Sequence, residues 1–343
     1  MIPQQPATVV VDASSLLSKL ATASLSLPVP NMKTRTNRMF IASIMVTPQI
    51  NIIMGFIYIF FSGMFIMVNA ILLMITVRDS KYKSGTYRII KNICVACIMQ
   101  LIPFFVGGFM TLADSTFNYY LDRILGAIVE SGWFLYISLA MALAVDRLLV
   151  FVTIVPSKYV YIINWTLLVG SWLFWLSTFI ILLIPCFGYT YDGVNGHFVW
   201  VHNECQLALI MMETEMYLDF VFFFIDLVIY FVVFLHLIKI KLRMTHNTAS
   251  FFVEIRIFIV AIISFVYESL FIIWSFWIPG FLSDPRAMDM VTNLMWIVDS
   301  GLFATVTLMI NVSLRNKVKS VFVVKSHKMT TKVGVVTRAS RQS

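Results

Sequence analysis

Charged residues are scarce in this sequence. Only 12% of the 343 residues are Asp, Glu, Lys or Arg, whereas soluble domains contain roughly 25%. Hydrophobic residues make up 60% of the chain, and the mean hydropathy is +0.89. No soluble core could bury this much apolar surface, so the composition predicts an integral membrane protein. The apolar runs are continuous and not alternating, which excludes a transmembrane β-barrel.

Cysteines and enzymatic motifs are also scarce. Four cysteines are too few for a disulfide scaffold. The sequence has no Walker motif, no His-Glu-x-x-His motif and no credible catalytic triad, so an enzyme is not expected, and no cofactor or metal is predicted. A net charge of +8 would suggest nucleic acid, but the cations lie in short loops and the tail, which argues against such a partner.

Seven longer apolar runs are present, each near the roughly 20 residues that a bilayer requires. They predict an all-α membrane protein built as a seven-transmembrane helix bundle. Residues 1–50 are expected to be a disordered extracellular segment, 51–325 the seven-span domain and 326–343 a basic cytoplasmic tail. The short run 39–46 resembles a signal-peptide core, so a signal segment remains open. The predicted spans are 52–77, 93–113, 124–150, 162–185, 217–240, 257–281 and 291–311.

Lys and Arg lie mainly on one side of these spans. The gaps after spans one, three and five hold most of the loop cations, whereas the opposite loops hold only Arg123 and Arg286. The positive-inside rule therefore predicts an N-terminus outside and a C-terminus inside. Three cations before span one lie on the predicted outer side, contrary to the rule. They begin about 14 residues ahead of the span, where the rule weakens.

An adjacent Asp146–Arg147 pair lies in the run AMALAVDRLLVF. An ion at the centre of a spanning helix costs roughly 2.5–3.5 kcal/mol. The predicted orientation places the pair at the cytoplasmic end of span three, where it avoids that cost. Two interpretations stay open: Arg147 is an ordinary interfacial anchor, or the pair is a switch that holds the bundle closed until Arg147 is released.

Acidic residues lie inside several spans, where ionisable groups are functional candidates. We expect an outer cavity lined by Glu130, Trp133, Asp219, Trp274 and Trp277, with Asp299 below it. Such a pocket would favour a cationic or hydrogen-bond-donating small molecule, with Glu130 as its main contact. The alternative is ordinary interhelical hydrogen bonding. The five intramembrane acids are Glu130, Asp219, Asp226, Glu268 and Asp299.

Several positions resemble the rhodopsin-like G-protein-coupled receptors over residues 50–325. Asp146-Arg147 matches the Asp/Glu-Arg-Tyr motif of that family, with Leu148 in place of Tyr. Span seven contains no Lys, so a retinal Schiff base like that of opsins is not possible there. The other matching positions are Asn69, Trp172, Phe276-Trp277-Ile278-Pro279 and Ser313-Leu314-Arg315-Asn316-Lys317, the last at the start of a short amphipathic helix.

Some of the family's motifs are altered here, and this combination of altered motifs on a seven-span plan resembles the nematode serpentine chemoreceptors. Among these, the Srx and Srt classes are the most similar. Residues 308–312 replace the Asn-Pro-x-x-Tyr motif, and the Cys at the outer end of span three is absent, since Leu121, Asp122 and Arg123 occupy that region. The resemblance implies a plasma-membrane receptor for an extracellular small molecule, with a heterotrimeric G protein as partner. Tyr230 would contact the freed Arg147 in the active state.

The cysteines divide into two pairs. Cys186 and Cys205 fall in the long outer loop, where an oxidising compartment permits a disulfide, and we predict that they pair. Two free cysteines are the alternative. Cys94 and Cys97 lie in span two without His or further Cys, so they are expected to pack as small apolar groups.

A channel or transporter is the rival function, because intramembrane acids also mark ion paths. Acids on facing helices through the full depth of the bundle would favour transport, as would an internal repeat. No such repeat is present in the sequence. A closed outer pocket with a polar switch at Asp146–Arg147 would favour a receptor.

Overall fold

The computed structural model describes residues 48–152, 156–192, 199–203, 205–243, 249–277 and 285–320. The predicted N-terminal segment, apart from its last three residues, lies outside these residues. So do the signal-like run 39–46 and the basic tail 326–343.

Within the described residues, seven long helices confirm the predicted all-α, seven-span architecture. Each contains a stretch long and apolar enough to cross a bilayer, so this is a multi-pass membrane protein. Residues 312–320 form a further short helix, α8, where an amphipathic helix is expected. The long helices are α1 (Pro48–Arg78), α2 (Gly85–Ala113), α3 (Tyr119–Val152), α4 (Ser157–Leu182), α5 (Gln206–Arg243), α6 (Ala249–Trp277) and α7 (Pro285–Ile310).

Several helices extend beyond the apolar runs that predicted them. Helix α5 begins at Gln206 and not at 217, and α2 begins at Gly85 and not at 93. Hydropathy marks only the part of a helix that contacts hydrocarbon. The first turns of α5 carry Glu213 and Glu215, which lowers their hydropathy although the backbone stays helical.

Helix α3 lies at the centre of the bundle and contacts α2, α4, α5 and α6. Within its most apolar stretch 61% of residues are buried, whereas the corresponding figure for α5 is 17%. Most of α5 therefore faces lipid, and polar groups on α3 face protein. Side chains on α3 are accordingly in the best position to link several helices at once.

Polar side chains also join the outlying helices. The amide of Asn69 on α1 donates to the backbone carbonyl of Ser300 on α7 at 3.1 Å. The indole of Trp172 on α4 donates to the side-chain oxygen of Asn92 on α2 at 2.9 Å. Hydrogen bonds of this kind are worth about 0.6 kcal/mol on average between transmembrane helices.

A capped turn connects α1 to α2 and also contacts α8. Asp79 accepts a hydrogen bond from the backbone N–H of Lys81 at 3.1 Å and pairs with the Lys317 ammonium at 3.0 Å. These two partners hold the pKa of Asp79 below its ordinary value. The turn thereby fixes α8 against the start of the first predicted cytoplasmic loop.

A β-hairpin covers the opposite end of the bundle, which we call the outer end because it is predicted to be extracellular. Strands β1 (Tyr189–Asp192) and β2 (Val199–His202) pair antiparallel, with Tyr189 opposite His202. The hairpin lies directly on α3: a Cβ atom at Gly126 would be 1.7 Å from the carbonyl oxygen of Tyr189. Only glycine permits this approach.

Asp122 and Arg123 hold the hairpin and the end of α4 to α3. The Asp122 carboxylate accepts from the backbone N–H of Tyr191 at 2.9 Å. The Arg123 guanidinium donates to carbonyl oxygens at the end of α4 and just after it, including Leu183 at 3.1 Å and Pro185 at 3.3 Å. Polar bonds from two adjacent residues of α3 therefore tether both the hairpin and the end of α4.

Gly126→Ala should destabilise the protein because its methyl group would overlap the β1 backbone. Overpacking of this kind typically costs about 1–3 kcal/mol. The matched control is Gly170→Ala on α4, where a Cβ atom meets nothing within 4 Å. That control should be neutral or stabilising by about 0.5–1 kcal/mol, because alanine favours helix. Thermal unfolding of both variants in lipid nanodiscs would test this, and equal midpoints would contradict the close approach.

Asp122→Ala should lower the free energy of unfolding by about 1–3 kcal/mol, because it leaves the buried N–H of Tyr191 without its acceptor. Glu213→Ala, on an exposed face of α5, is the matched loss of a carboxylate. Hydrogen exchange of the hairpin amides provides a local readout. Unchanged protection of Tyr191 in the Asp122 variant would show that the tether is not effective.

Candidate functional site

A polar network surrounds Asp146 at the inner end of α3, opposite the hairpin. Its carboxylate accepts from the Thr86 hydroxyl at 2.7 Å and from the Asn164 amide at 2.5 Å. Thr86 is on α2 and Asn164 is on α4. A single carboxylate therefore links three helices, and its charge is satisfied by donors on each side.

Arg147 is completely buried and ion-paired with two carboxylates. It lies 2.5 Å from Asp146 and also pairs with Glu254 on α6. It donates a further hydrogen bond to the Thr86 hydroxyl. Arg147 thus joins α3 to α6, and the inner end of the bundle is closed in this structure. The guanidinium therefore lies inside the bundle and not at an exposed interface.

Tyr230 lies on the α5 side of this network. Its ring is buried and packs edge-on against Phe258 and Phe265 of α6, with centroids 6.0 and 5.4 Å apart. These contacts hold α5 against α6 near the pair that joins α6 to α3. Any outward movement of α6 would alter the environment of Tyr230 and Arg147 together.

Acidic groups meet at the outer end, beneath the hairpin. Glu130 of α3 is fully buried, and neither of its carboxylate oxygens has a hydrogen-bond partner. Glu215 of α5 lies 3.2 Å from the imidazole of His202 on β2. One carboxylate oxygen each from Glu130 and Glu215 and one ring nitrogen of His202 all lie within 4.8 Å of one another. We call these three residues the outer triad.

Tyr189 lies beside the outer triad. Its ring contacts that of His202 at a centroid distance of 4.8 Å. Burial raises the pKa of the Tyr189 phenol well above its usual value, and the Glu130 and Glu215 carboxylates raise that pKa further. Tyr189 therefore forms a neutral aromatic wall beside this acidic region.

Trp133 forms the floor below the outer triad. Its indole N–H donates to Asp219 on α5, at 3.1 and 3.3 Å to the two oxygens. Its ring packs edge-on against Phe271 and Trp296, 5.4 and 5.8 Å away. Trp296 in turn donates to Gln100 of α2 at 2.7 Å. The aromatic floor connects α2, α3, α6 and α7.

The predicted pocket residues on α6 and α7 do not all join this group. Trp274 donates to the Thr292 hydroxyl at 3.1 Å and so links α6 to α7. Trp277 is 63% exposed and packs against Phe220 of α5, 5.8 Å away, so the expectation that it lines the cavity is wrong. Trp277 is the last described residue of α6, and a short sequence motif does not indicate which side of a helix its residues occupy. Asp299 is buried deeper, near Glu268.

A disulfide closes the outer loop. Cys186 and Cys205 are joined, with their Cα atoms 5.7 Å apart, and the bond connects the turn after α4 to the start of α5. Cys94 and Cys97 are free and buried within α2. The disulfide and the hairpin together hold His202 over Glu215.

Several residues of these networks were not predicted from the sequence, among them Thr86, Asn164, His202, Glu215, Glu254 and Trp296. Glu215 precedes Asp219 by four residues, which places both on one helical face, so its role had a detectable signal. Glu254 had a weaker signal, as an acid beside Arg256 in an otherwise basic stretch. His202 had none, because its position depends on hairpin pairing.

Comparison with known proteins identifies the fold. Squid rhodopsin is similar in structure, with a TM-score of 0.66 over 83% of this chain and 84% of that chain, at 13% sequence identity. No protein-family profile matches the chain, and no curated protein matches it. The protein therefore has the seven-helix fold of rhodopsin, as expected from the resemblance, while the likeness at this identity concerns the fold alone.

Proposed function

We propose that this protein is a G-protein-coupled receptor whose inner switch is the buried Arg147. The observation that carries the proposal is the pairing of Arg147 with Asp146 on its own helix and Glu254 on α6. An ion pair that links two helices can hold a bundle closed until the pair is broken. Opening it would separate α6 from α3 and uncover Arg147 to a heterotrimeric G protein.

The ligand would be an extracellular small molecule with a cationic or hydrogen-bond-donating group. Glu130 supports this, because it is buried with two unsatisfied oxygens above an aromatic floor. Asp219 is held by Trp133 and would sense a ligand through that bond. Helix α7 contains no Lys, so the ligand would not be a covalently attached retinal.

The signal would pass through α5 and α6. A ligand between the hairpin and the aromatic floor would shift Phe271 and Trp133, which face each other across α3 and α6. Outward movement of α6 would then break the Arg147–Glu254 pair, and Tyr230 would be free to contact Arg147. The basic residues Lys239 and Arg256 would flank the opened cleft and attract the partner.

We propose that the nematode serpentine chemoreceptors are its relatives. The proposed role is chemical sensing at the plasma membrane, for example in a sensory cilium. This rests on the resemblance of the degenerate motifs around Asp146–Arg147 and residues 308–312.

A channel or transporter is the second candidate, and one observation favours it. Glu268 lies within electrostatic range of Asp299, Asp226 and Asp219, so buried acids extend from the outer end towards the middle of the bundle. In a proton or cation pathway, Glu268→Gln would abolish flux into proteoliposomes. A receptor would show no such flux in either form.

Arg147→Ala should weaken binding of nucleotide-free Gα subunits by the protein purified in lipid. Arg147 would be the residue that the partner contacts, so its loss should reduce capture at least about tenfold, equivalent to roughly 1.4 kcal/mol. The matched control is Arg286→Ala at the outer end of α7, which should not affect capture. Absence of capture by the folded wild type, with an extracellular N-terminus established, would move the transport alternative forward.

Glu254→Gln should have the opposite effect and raise capture in the absence of ligand. The substitution keeps the shape of the side chain but removes the charge that pairs with Arg147 across α3 and α6. Glu213→Gln removes a carboxylate from an exposed outer position on α5 and should leave basal capture unchanged. Equal basal capture by the wild type, Glu254→Gln and Glu213→Gln would show that the ion pair does not control coupling.

A further inference from the structure

We propose that the outer triad of Glu130, His202 and Glu215 binds a divalent transition-metal ion, with Zn²⁺ as the best fit. The three residues come from α3, β2 and α5, so a bound ion would link the hairpin to two helices. This inference goes beyond receptor signalling, because metal binding can be measured without a ligand or a G protein.

The separation of the donor atoms suits a single small ion. All three ligand atoms lie within 4.8 Å of one another. Zinc bonds to nitrogen and oxygen are about 2.0–2.2 Å long and tetrahedral, so two ligand atoms on one ion lie roughly 3.4 Å apart. The three ligand atoms would therefore move closer together when an ion binds.

The buried carboxylate of Glu130 lacks a partner at this point. Glu130 is fully buried, and neither of its oxygens has a hydrogen-bond partner. The imidazole of His202 presents Nε2 to Glu215 at 3.2 Å, while Nδ1 lies on the other edge of the ring. Burying a polar group without a hydrogen bond costs roughly 1–3 kcal/mol, and a carboxylate costs more. A cation held by Nε2 and the two carboxylates would compensate the buried charge of Glu130, which has no partner otherwise.

The types of donor select the class of metal. Two carboxylates and one imidazole form a mixed oxygen and nitrogen set, which suits Zn²⁺ and neighbouring transition ions. Calcium and magnesium prefer oxygen ligands throughout. Two ionised carboxylates would balance the charge of a divalent ion, which matters in a region enclosed by Tyr189 and Trp133.

The surroundings leave a route to the ion and a free coordination position. The side chains of His202 and Glu215 are 12% and 14% exposed, whereas Glu130 is closed off from below. An ion could therefore enter from the hairpin side and retain one position for water. It would compete with a cationic ligand group for the Glu130 carboxylate. The disulfide at Cys205 and the Tyr189–His202 contact would hold His202 in place.

Isothermal titration of the full chain in nanodiscs with ZnCl₂ would test the site. We expect one ion per chain in the wild type and at least about a tenfold loss of affinity in His202→Ala and Glu215→Gln, since even outer-shell changes cost 10–100-fold at metal sites. The matched controls are His236→Ala, on the inner half of α5, and Glu213→Gln, two residues from Glu215 on an exposed face. Both controls should bind like the wild type.

Two further measurements keep the result independent of folding. Substituting Co²⁺ should give the visible absorption of a nitrogen–oxygen site in the wild type and not in His202→Ala. Bound Zn²⁺ should also raise the unfolding temperature of the wild type, because it binds the native state, and this shift should disappear in Glu130→Gln.

Equal affinity in wild type and all triad variants would overturn the proposal, and so would no binding by a wild type that unfolds cooperatively. Metal binding that persists when no Gα subunit is captured would refute only the coupling proposal. Capture without metal binding would refute only the metal site.

Discussion

The buried guanidinium of Arg147 is the constraint on which the arrangement of the inner bundle depends. A charge in an apolar interior is tolerated only when opposite charges and hydrogen-bond partners surround it. Here Asp146 and Glu254 supply the charge, while Thr86 and Asn164 hold Asp146 in place. Helices α2, α3, α4 and α6 must therefore meet at one point. Removing one carboxylate would leave the guanidinium partly unpaired in an apolar interior.

At the outer end the main constraint is the attachment of a loop, because the hairpin lies over a group of acidic residues. Asp122 and Arg123 use backbone groups of β1 and of the end of α4 as partners, and Gly126 lets the strand lie directly on α3. The loop is thus fixed to the most buried helix at two adjacent residues. This rigid cover brings His202 to Glu215, which α5 alone could not do, and it encloses Glu130 from the outside.

Much of the fold could be predicted from the sequence because hydropathy is a local property. Each bilayer-crossing helix satisfies its own backbone hydrogen bonds, so seven apolar runs lead to seven spans. Helix ends were less predictable, as at Gln206, because a helix can continue with polar residues outside hydrocarbon. The site was predictable in part: Glu130, Trp133 and Asp219 lie together, whereas Trp277 lies on the outside of α6. A mid-span acid indicates burial, but a tryptophan at a helix end indicates no particular side.

The sequence by itself determined the membrane class, the number of spans and the presence of one charged pair at the end of span three. These depend on residue type and on spacing along one helix. Only the tertiary structure decided which groups meet across helices: Glu254 with Arg147 and His202 with Glu215, each pair on different elements. The physical reason is that the partner of a buried charge is set by helix rotation and loop pairing. Helix rotation and loop pairing depend on packing between segments that are distant in sequence, and hydropathy along the chain does not indicate that packing.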